Sequence, residues 1–234
     1  VSFSSFELWP LLPGAAVALV AGLDRMALGQ VMLCRPLVCA PVAGWLLGVP
    51  EAGLLVGALT ELVWLGRLPV GAAIPPDDTQ VAIGATTLTA LLADGGDTLG
   101  ALPLFCLLLA IPLGKVGQWF DHWARRRNDR LPGRVEAALK AGRDRQIERL
   151  HLRGLVHFAQ AGLMTYLVIA LGGYLVAIVL LPIGMPLVGS VRLPVELALP
   201  LVGAAVLIAT LNVSRALTLF GASFLAVYLA AWVF

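Results

Sequence analysis

Ten of the chain's 16 Lys and Arg residues fall within residues 121–153, and on either side of that stretch the sequence is almost continuously apolar. Charged residues make up 13% of the chain and hydrophobic ones 59%, whereas a soluble domain carries roughly 25% charge. With a mean hydropathy of +0.91, this is the pattern of a polytopic membrane protein. At roughly 20 residues per spanning helix, a chain of this length has room for at most about eight or nine crossings, and its polar stretches lower that to about six to eight. The expected fold is therefore all-α: about six to eight hydrophobic helical segments, some broken or re-entrant, forming a single transmembrane domain over residues 1–234. The apolar start has no basic n-region and no A-x-A-like cleavage site, so insertion is expected to use the first spans themselves.

The basic stretch sets the topology. Arg125, Arg126, Arg127, Arg130, Arg143, Arg145, Arg149 and Arg153 put residues 121–153 on the cytoplasmic side by the positive-inside rule, as a loop and surface helix. Nucleic acid is not the expected partner, because five acidic residues are interleaved and no aromatic residue follows Trp123 within the stretch. Trp9, Trp119, Trp123 and Trp232 stand near segment ends, where tryptophans anchor helices at the interface. Cys34, Cys39 and Cys106 lie in apolar runs without metal spacing, and His122, His151 and His157 lack clustered ligands, so neither a metal nor a cofactor is expected.

Several apolar segments are too short or too interrupted for a plain crossing. Residues 11–32 carry Gly14, Gly22 and Gly29 and the charged neighbours Asp24 and Arg25, which read as an interfacial pair. The run 36–49 follows, and 52–66 has only fifteen residues. Residues 67–78 hold Pro69, Gly71, Pro75 and Pro76, which break the helix. A short helix over 79–93 and a turn at 94–97 precede a full-length segment at 99–120. Residues 134–153 read as one charged surface helix with Glu136 and Lys140 spaced i, i+4. A span over 155–181 is expected to end at Pro182, Gly184 and Pro186, with further helices over 193–211 and 216–234.

Glu61 and Asp77 flank the proline-broken stretch. A carboxylate at membrane depth costs about 2.5 to 3.5 kcal/mol on insertion scales unless it is protonated, paired or beside a wet cavity. Interrupted hydrophobic segments also point to transporter substrate sites, because unwound backbone is tolerated at depth only inside protein or along a cavity. The bland readings are a structural ion pair of Glu61 with Arg35 or Arg67, and an N-cap for the helix near Thr79, for which Asp78 is the better candidate. Gln30 and Asn212 are further candidates for polar contacts, with interhelical hydrogen bonding as their plain alternative. Arg35 and Arg215 read as structural counter-ions.

The run T-E-L-V-W-L-G-x-x-x-V-G-A-A-I-P-P-D at residues 60–77 resembles the glutamate-plus-G-A-A-x-x-P-D signature of the IIC subunits of mannose/fructose/sorbose-family sugar phosphotransferase systems. The resemblance extends to Arg35-Pro36-Leu37-Val38, the stretch around His151, and Leu211-Asn212-x-x-Arg215. It implies a permease subunit in the bacterial cytoplasmic (inner) membrane. That subunit would form the sugar path with a IID subunit, in a homo-oligomer of IIC–IID units served by IIA and IIB phosphocarriers. IIB would phosphorylate a hexose-like sugar, with no covalent catalysis on this chain. The resemblance also implies that Glu61, Asp77, Gln30 and Asn212 contact the sugar.

The chain departs from the family pattern at residues 28–34. Leu28-Gly29-Gln30-Val31-Met32-Leu33-Cys34 retains only Gln30 where the family carries several polar groups. The family pattern also continues beyond the region matching 216–233, so a last span is expected to be missing or supplied by a partner. Two other functions stay open at this point. One is a degenerate, non-transporting assembly or regulatory membrane subunit. The other is an integral membrane enzyme using Glu61 and Asp77 as acid and base.

Overall fold

In a computed structural model, the described residues are 9–65, 74–93, 100–190, 195–210 and 216–233, and they are all helical or irregular, with no strand among them. Among the described residues eleven α-helices follow one another: α1 (Leu11–Met26), α2 (Pro36–Leu46), α3 (Pro50–Trp64), α4 (Asp78–Leu92), α5 (Ala101–Leu113), α6 (Gly117–Asn128), α7 (Leu131–Lys140), α8 (Asp144–Leu167), α9 (Gly173–Ser190), α10 (Val195–Thr210) and α11 (Ala216–Val233). A 3-10 turn at Gly114–Val116 joins α5 to α6, and a π turn at Val168–Gly172 joins α8 to α9.

The hub is α4. It packs against α1, α2, α3, α5, α8 and α9, and every residue from Thr79 to Thr89 is buried. Four hydroxyls on a central helix would be costly if left unpaired. Thr86, Thr87 and Thr89 instead donate back to Ala82 O, Ile83 O and Ala85 O at 2.9 Å, and Thr79 donates to Cys34 O at 2.8 Å. The hub can therefore be polar in sequence yet sit at the centre of an apolar cluster that includes Val56, Leu59, Leu88, Phe105, Cys106 and Ile169.

Close helix approach accounts for much of the glycine. The α2–α3 hairpin places Gly53 against the carbonyl of Ala40 and Gly57 against that of Pro36, each 2.5 Å from where a Cβ would stand. Small residues at such seams let backbones touch where there is no hydrophobic drive between helices in lipid. The α1–α8 seam crosses at Gly22 and Gly162, with the buried Gln80 amide wedged beside both.

Three expectations change. Residues 134–153 are two helices, because Gly142 takes a φ of +64° and stops α7, and α8 then runs from Asp144 straight into the apolar segment. The prolines at 182 and 186 lie inside α9; proline in a helix frees a carbonyl without ending the helix when neighbouring groups take it up. The first segment stops at Met26 instead of reaching residue 32, since Gly29, Gln30 and Met32 all have positive φ. The interruption expected at 67–78 is present at its described end, where residues 74–77 are irregular between α3 and α4; the turn at 94–97 lies outside the described residues. Among the described residues two continuous helical runs, Ala101–Lys140 and Asp144–Pro186, are long and apolar enough by length and composition to cross a bilayer. The other helices preceding α5 have 11 to 16 residues, or at most about 24 Å at 1.5 Å per residue, short of a roughly 30 Å hydrocarbon core.

Candidate functional site

The N-terminus of α4 presents Asp77, Asp78 and Thr79 to the last turn of α1. Arg25 Nη1 donates to Asp77 Oδ1 at 2.9 Å and to Thr79 Oγ1 at 3.1 Å, and it also pairs with Asp78 Oδ1. Asp77 is the cap: its Oδ1 accepts from Gln80 N at 3.1 Å. Asp78 occupies the first turn, where the helix's positive end favours a carboxylate. The cap is thus Asp77, the alternative role weighed for it, and Asp78, expected as the better cap candidate, is an ion-pair partner of Arg25. Asp77 Oδ2 makes no hydrogen bond among the described residues, and the side chain is 22% exposed.

Asp24 and Arg25 do not pair with each other. Successive residues on a helix point about 100° apart, so they serve different partners. Asp24 turns toward the α1–α2 loop, where Oδ1 accepts from Val31 N at 2.8 Å and Oδ2 from Cys34 N at 3.1 Å. These bonds hold the left-handed backbone at Gln30 (φ 52°) and Met32 (φ 67°). The loop ends at Arg35, whose Nη1 donates to Glu61 Oε1 at 2.9 Å, while Leu37 N at the start of α2 reaches Glu61 Oε2 at 3.4 Å. Of the two cations expected beside Glu61, Arg35 is the observed one; Arg67 lies outside the described residues.

Glu61 and Asp77 are consequently not a directly bonded pair. They stand at two ends of one polar chain: Asp77 to Arg25, Asp24 to the loop backbone, Arg35 to Glu61. Gln30 sits exposed in the loop and makes no side-chain hydrogen bond among the described residues. Asn212 and Arg215 lie outside the described residues. A cavity of about 20 Å³ opens beside Asp77, lined in part by Arg25, Asp121, Gly162 and Thr165. Such a volume accommodates about one water molecule, not a sugar.

Sequence reasoning missed Arg25, Thr79 and Gln80. Gln80 is fully buried; Nε2 donates to Ala18 O at 3.0 Å, and Oε1 has no partner among the described residues. The available signal was a cation in an otherwise apolar first segment, which needs a distant partner at such a depth. No group of three or more His, Cys, Asp or Glu among the described residues could hold a metal ion.

The family model described as PTS system sorbose-specific IIC component covers residues 11–233. This chain belongs to that family. The IIC-family chain is 30% identical over 168 residues to the fructose permease IIC component of Bacillus subtilis, covering 72% of this chain and 58% of that protein. It is 33% identical over 102 residues to the mannose-specific EIIC component of Escherichia coli, 44% of this chain and 35% of that one. The matches thus span between about a third and three fifths of these relatives' lengths. Among solved structures, one described as a structure of a membrane protein aligns over 96% of this chain and 88% of its own, with a TM-score of 0.66 and 22% identity. A cryoEM structure of the mannose transporter ManYZ with microcin E492 aligns over 95% and 87%, with a TM-score of 0.60 and 22% identity. The IIC-family chain is thus a membrane protein that shares the helical fold of these two structures.

Proposed function

We propose that this chain is the IIC permease subunit of a phosphoenolpyruvate-dependent sugar phosphotransferase system. It forms the sugar path with a IID subunit, in a homo-oligomer of IIC–IID units that crosses the bacterial inner membrane several times. IIA and IIB carry the phosphoryl group, IIB transfers it to a hexose-like sugar, and residues 121–153 face the cytoplasm where IIB works. The family match over residues 11–233 is the observation that carries this reading, and the ManYZ neighbour is consistent with a IID partner.

Within this reading Asp77 Oδ2 is the free acceptor for a sugar hydroxyl. An ionised carboxylate has about four lone-pair sites, and here the amide of Gln80 and the guanidinium of Arg25 occupy Oδ1 only. Glu61 offers its remaining lone pairs in the same way, and Gln30 and Asn212 complete the set of contacts. The one-water cavity beside Asp77 makes the described geometry a closed form, so sugar entry requires α1 to move away from α4 and α8.

The test is uptake of labelled hexoses and hexosamines by vesicles holding this chain with its IID subunit, with and without phosphorylated IIB. Uptake that needs phosphorylated IIB and fails in Glu61→Gln and Asp77→Asn supports the proposal. An intact complex that moves no sugar would point to the non-transporting assembly subunit, a reading favoured by the exposed position of Gln30, the only polar side chain in residues 28–34.

A further inference from the structure

We infer that α6 carries a binding site for the head group of an anionic phospholipid of the cytoplasmic leaflet. An open groove of about 600 Å³ is lined by Trp119, His122, Trp123, Arg126, Arg127 and Arg130. Residues 119, 122, 123, 126 and 127 recur at i, i+3, i+4, i+7 and i+8, one face of α6, and Arg130 follows in the turn before α7. No carboxylate lines the groove. Among the described residues no ion pair engages Arg126, Arg127 or Arg130, whereas the neighbouring Arg125 is taken by Asp121 at 2.8 Å. Three unneutralised guanidiniums within two turns repel one another, and an anion between them relieves that repulsion.

The choice of lipid follows from position and aromatic content. α6 is the polar prolongation of the apolar α5 within one continuous helical run, Ala101–Lys140. Trp119 is 78% exposed, where an amphipathic ring sits at the hydrocarbon boundary. Arg126 lies about 10 Å further along the axis, so a tilted helix keeps the ring at the acyl boundary and the guanidiniums at phosphate level. Arg127 is already set over Trp123, 5.0 Å from the ring centroid, a stacking that holds the guanidinium extended and leaves its edge donors free. A free phosphate would use the arginines but not the exposed tryptophan, whereas a phospholipid uses both.

The test measures lipid retention. The full chain, in detergent micelles doped with phosphatidylglycerol or phosphatidylcholine, is examined by native mass spectrometry and by quenching of tryptophan emission with brominated forms of each lipid. Phosphatidylglycerol should be retained over phosphatidylcholine. The variant with Arg126→Gln, Arg127→Gln and Arg130→Gln should lose that preference, by about fivefold in affinity per arginine. A control variant with Arg143→Gln, Arg145→Gln and Arg149→Gln, all exposed on α8 or its start, should keep it. Equal losses in both variants would mean general surface attraction and overturn the site. Competition by millimolar inorganic phosphate as effective as by the lipid would overturn the lipid assignment. Unchanged lipid retention together with loss of a co-purified protein subunit would make the groove a protein interface and also overturn it. The substitutions are at exposed positions, and an unaltered melting temperature confirms that a loss is one of binding.

Discussion

Arg25 Nη1 lies 2.9 Å from Asp77 Oδ1, joining residues 52 apart in sequence and closing the end of α1 onto the start of α4. Arg25→Gln removes one cation and leaves two adjacent carboxylates facing each other. Breaking a buried pair costs about 3–5 kcal/mol; this pair is about one fifth exposed, so about 2 kcal/mol is expected after discounting for solvent screening. Thermal unfolding in detergent should show a lower midpoint, and adding Asp77→Asn should recover part of it. A double-mutant cycle with no coupling between the two sites would refute the link.

Asp77 has two separable jobs. Asp77→Asn keeps an oxygen to cap Gln80 N, whereas Asp77→Ala loses the cap and costs about 1 kcal/mol more. If Oδ2 accepts a sugar hydroxyl, both variants lose a charge-assisted bond of about 1.5–3 kcal/mol, or roughly 10- to 100-fold in apparent affinity. Sugar binding and melting temperature measured side by side separate the jobs. Equal stability of the two variants would contradict the capping role.

At the other end of the polar chain, Arg35 is 51% exposed and its pair with Glu61 contributes about 0–1 kcal/mol. Arg35→Gln and Glu61→Gln should therefore both melt near the parent temperature. Uptake should distinguish them: Glu61→Gln loses it, and Arg35→Gln retains most of it. Equal loss from both would assign the pair a structural role only.

The α2–α3 seam leaves no room for a methyl at Gly53. Gly53→Ala pushes the new carbon onto Ala40 O and is expected to destabilise by about 1–3 kcal/mol. Gly133→Ala on the exposed face of α7, with nothing within 4 Å, should instead stabilise by about 0.5–1 kcal/mol through helix propensity. Opposite shifts in melting temperature are the expected outcome; shifts of the same sign would refute the packing argument.

Local patterning made parts of this fold readable. The bounds of α3 and α4 follow from Pro50 and from the D-D-T-Q start after Pro75-Pro76, both of which act within a turn of helix. Residues 134–153 were read as one helix because an isolated glycine inside a helical pattern is tolerated at a cost, and only the positive φ of Gly142 shows that it ends one. Pro182 and Pro186 were read as stops, since what allows them, the packing of α9 on α5, is absent from local sequence. The Arg25–Asp77 pair was illegible for the same reason: no periodicity links residues in different helices, and Asp24 was the nearer partner on paper. Glu61 and Asp77 stood out because carboxylates in apolar runs demand a partner, yet which cation answers each is a matter of tertiary structure.

The α1–α2 loop holds two non-glycine residues, Gln30 and Met32, in left-handed backbone, a conformation of order 1–3 kcal/mol above the ordinary one that persists only when its surroundings over-determine it. Asp24 supplies that constraint from the residue next to Arg25, and the loop delivers Arg35 to Glu61. Neighbouring residues at the end of α1 thus serve both ends of the polar chain, Arg25 at Asp77 and Asp24 at the loop that carries Arg35. Asp24→Asn is therefore expected to disturb the loop and the delivery of Arg35 to Glu61 while leaving the Arg25–Asp77 bond in place, an outcome that a double-mutant cycle with Arg25→Gln measures.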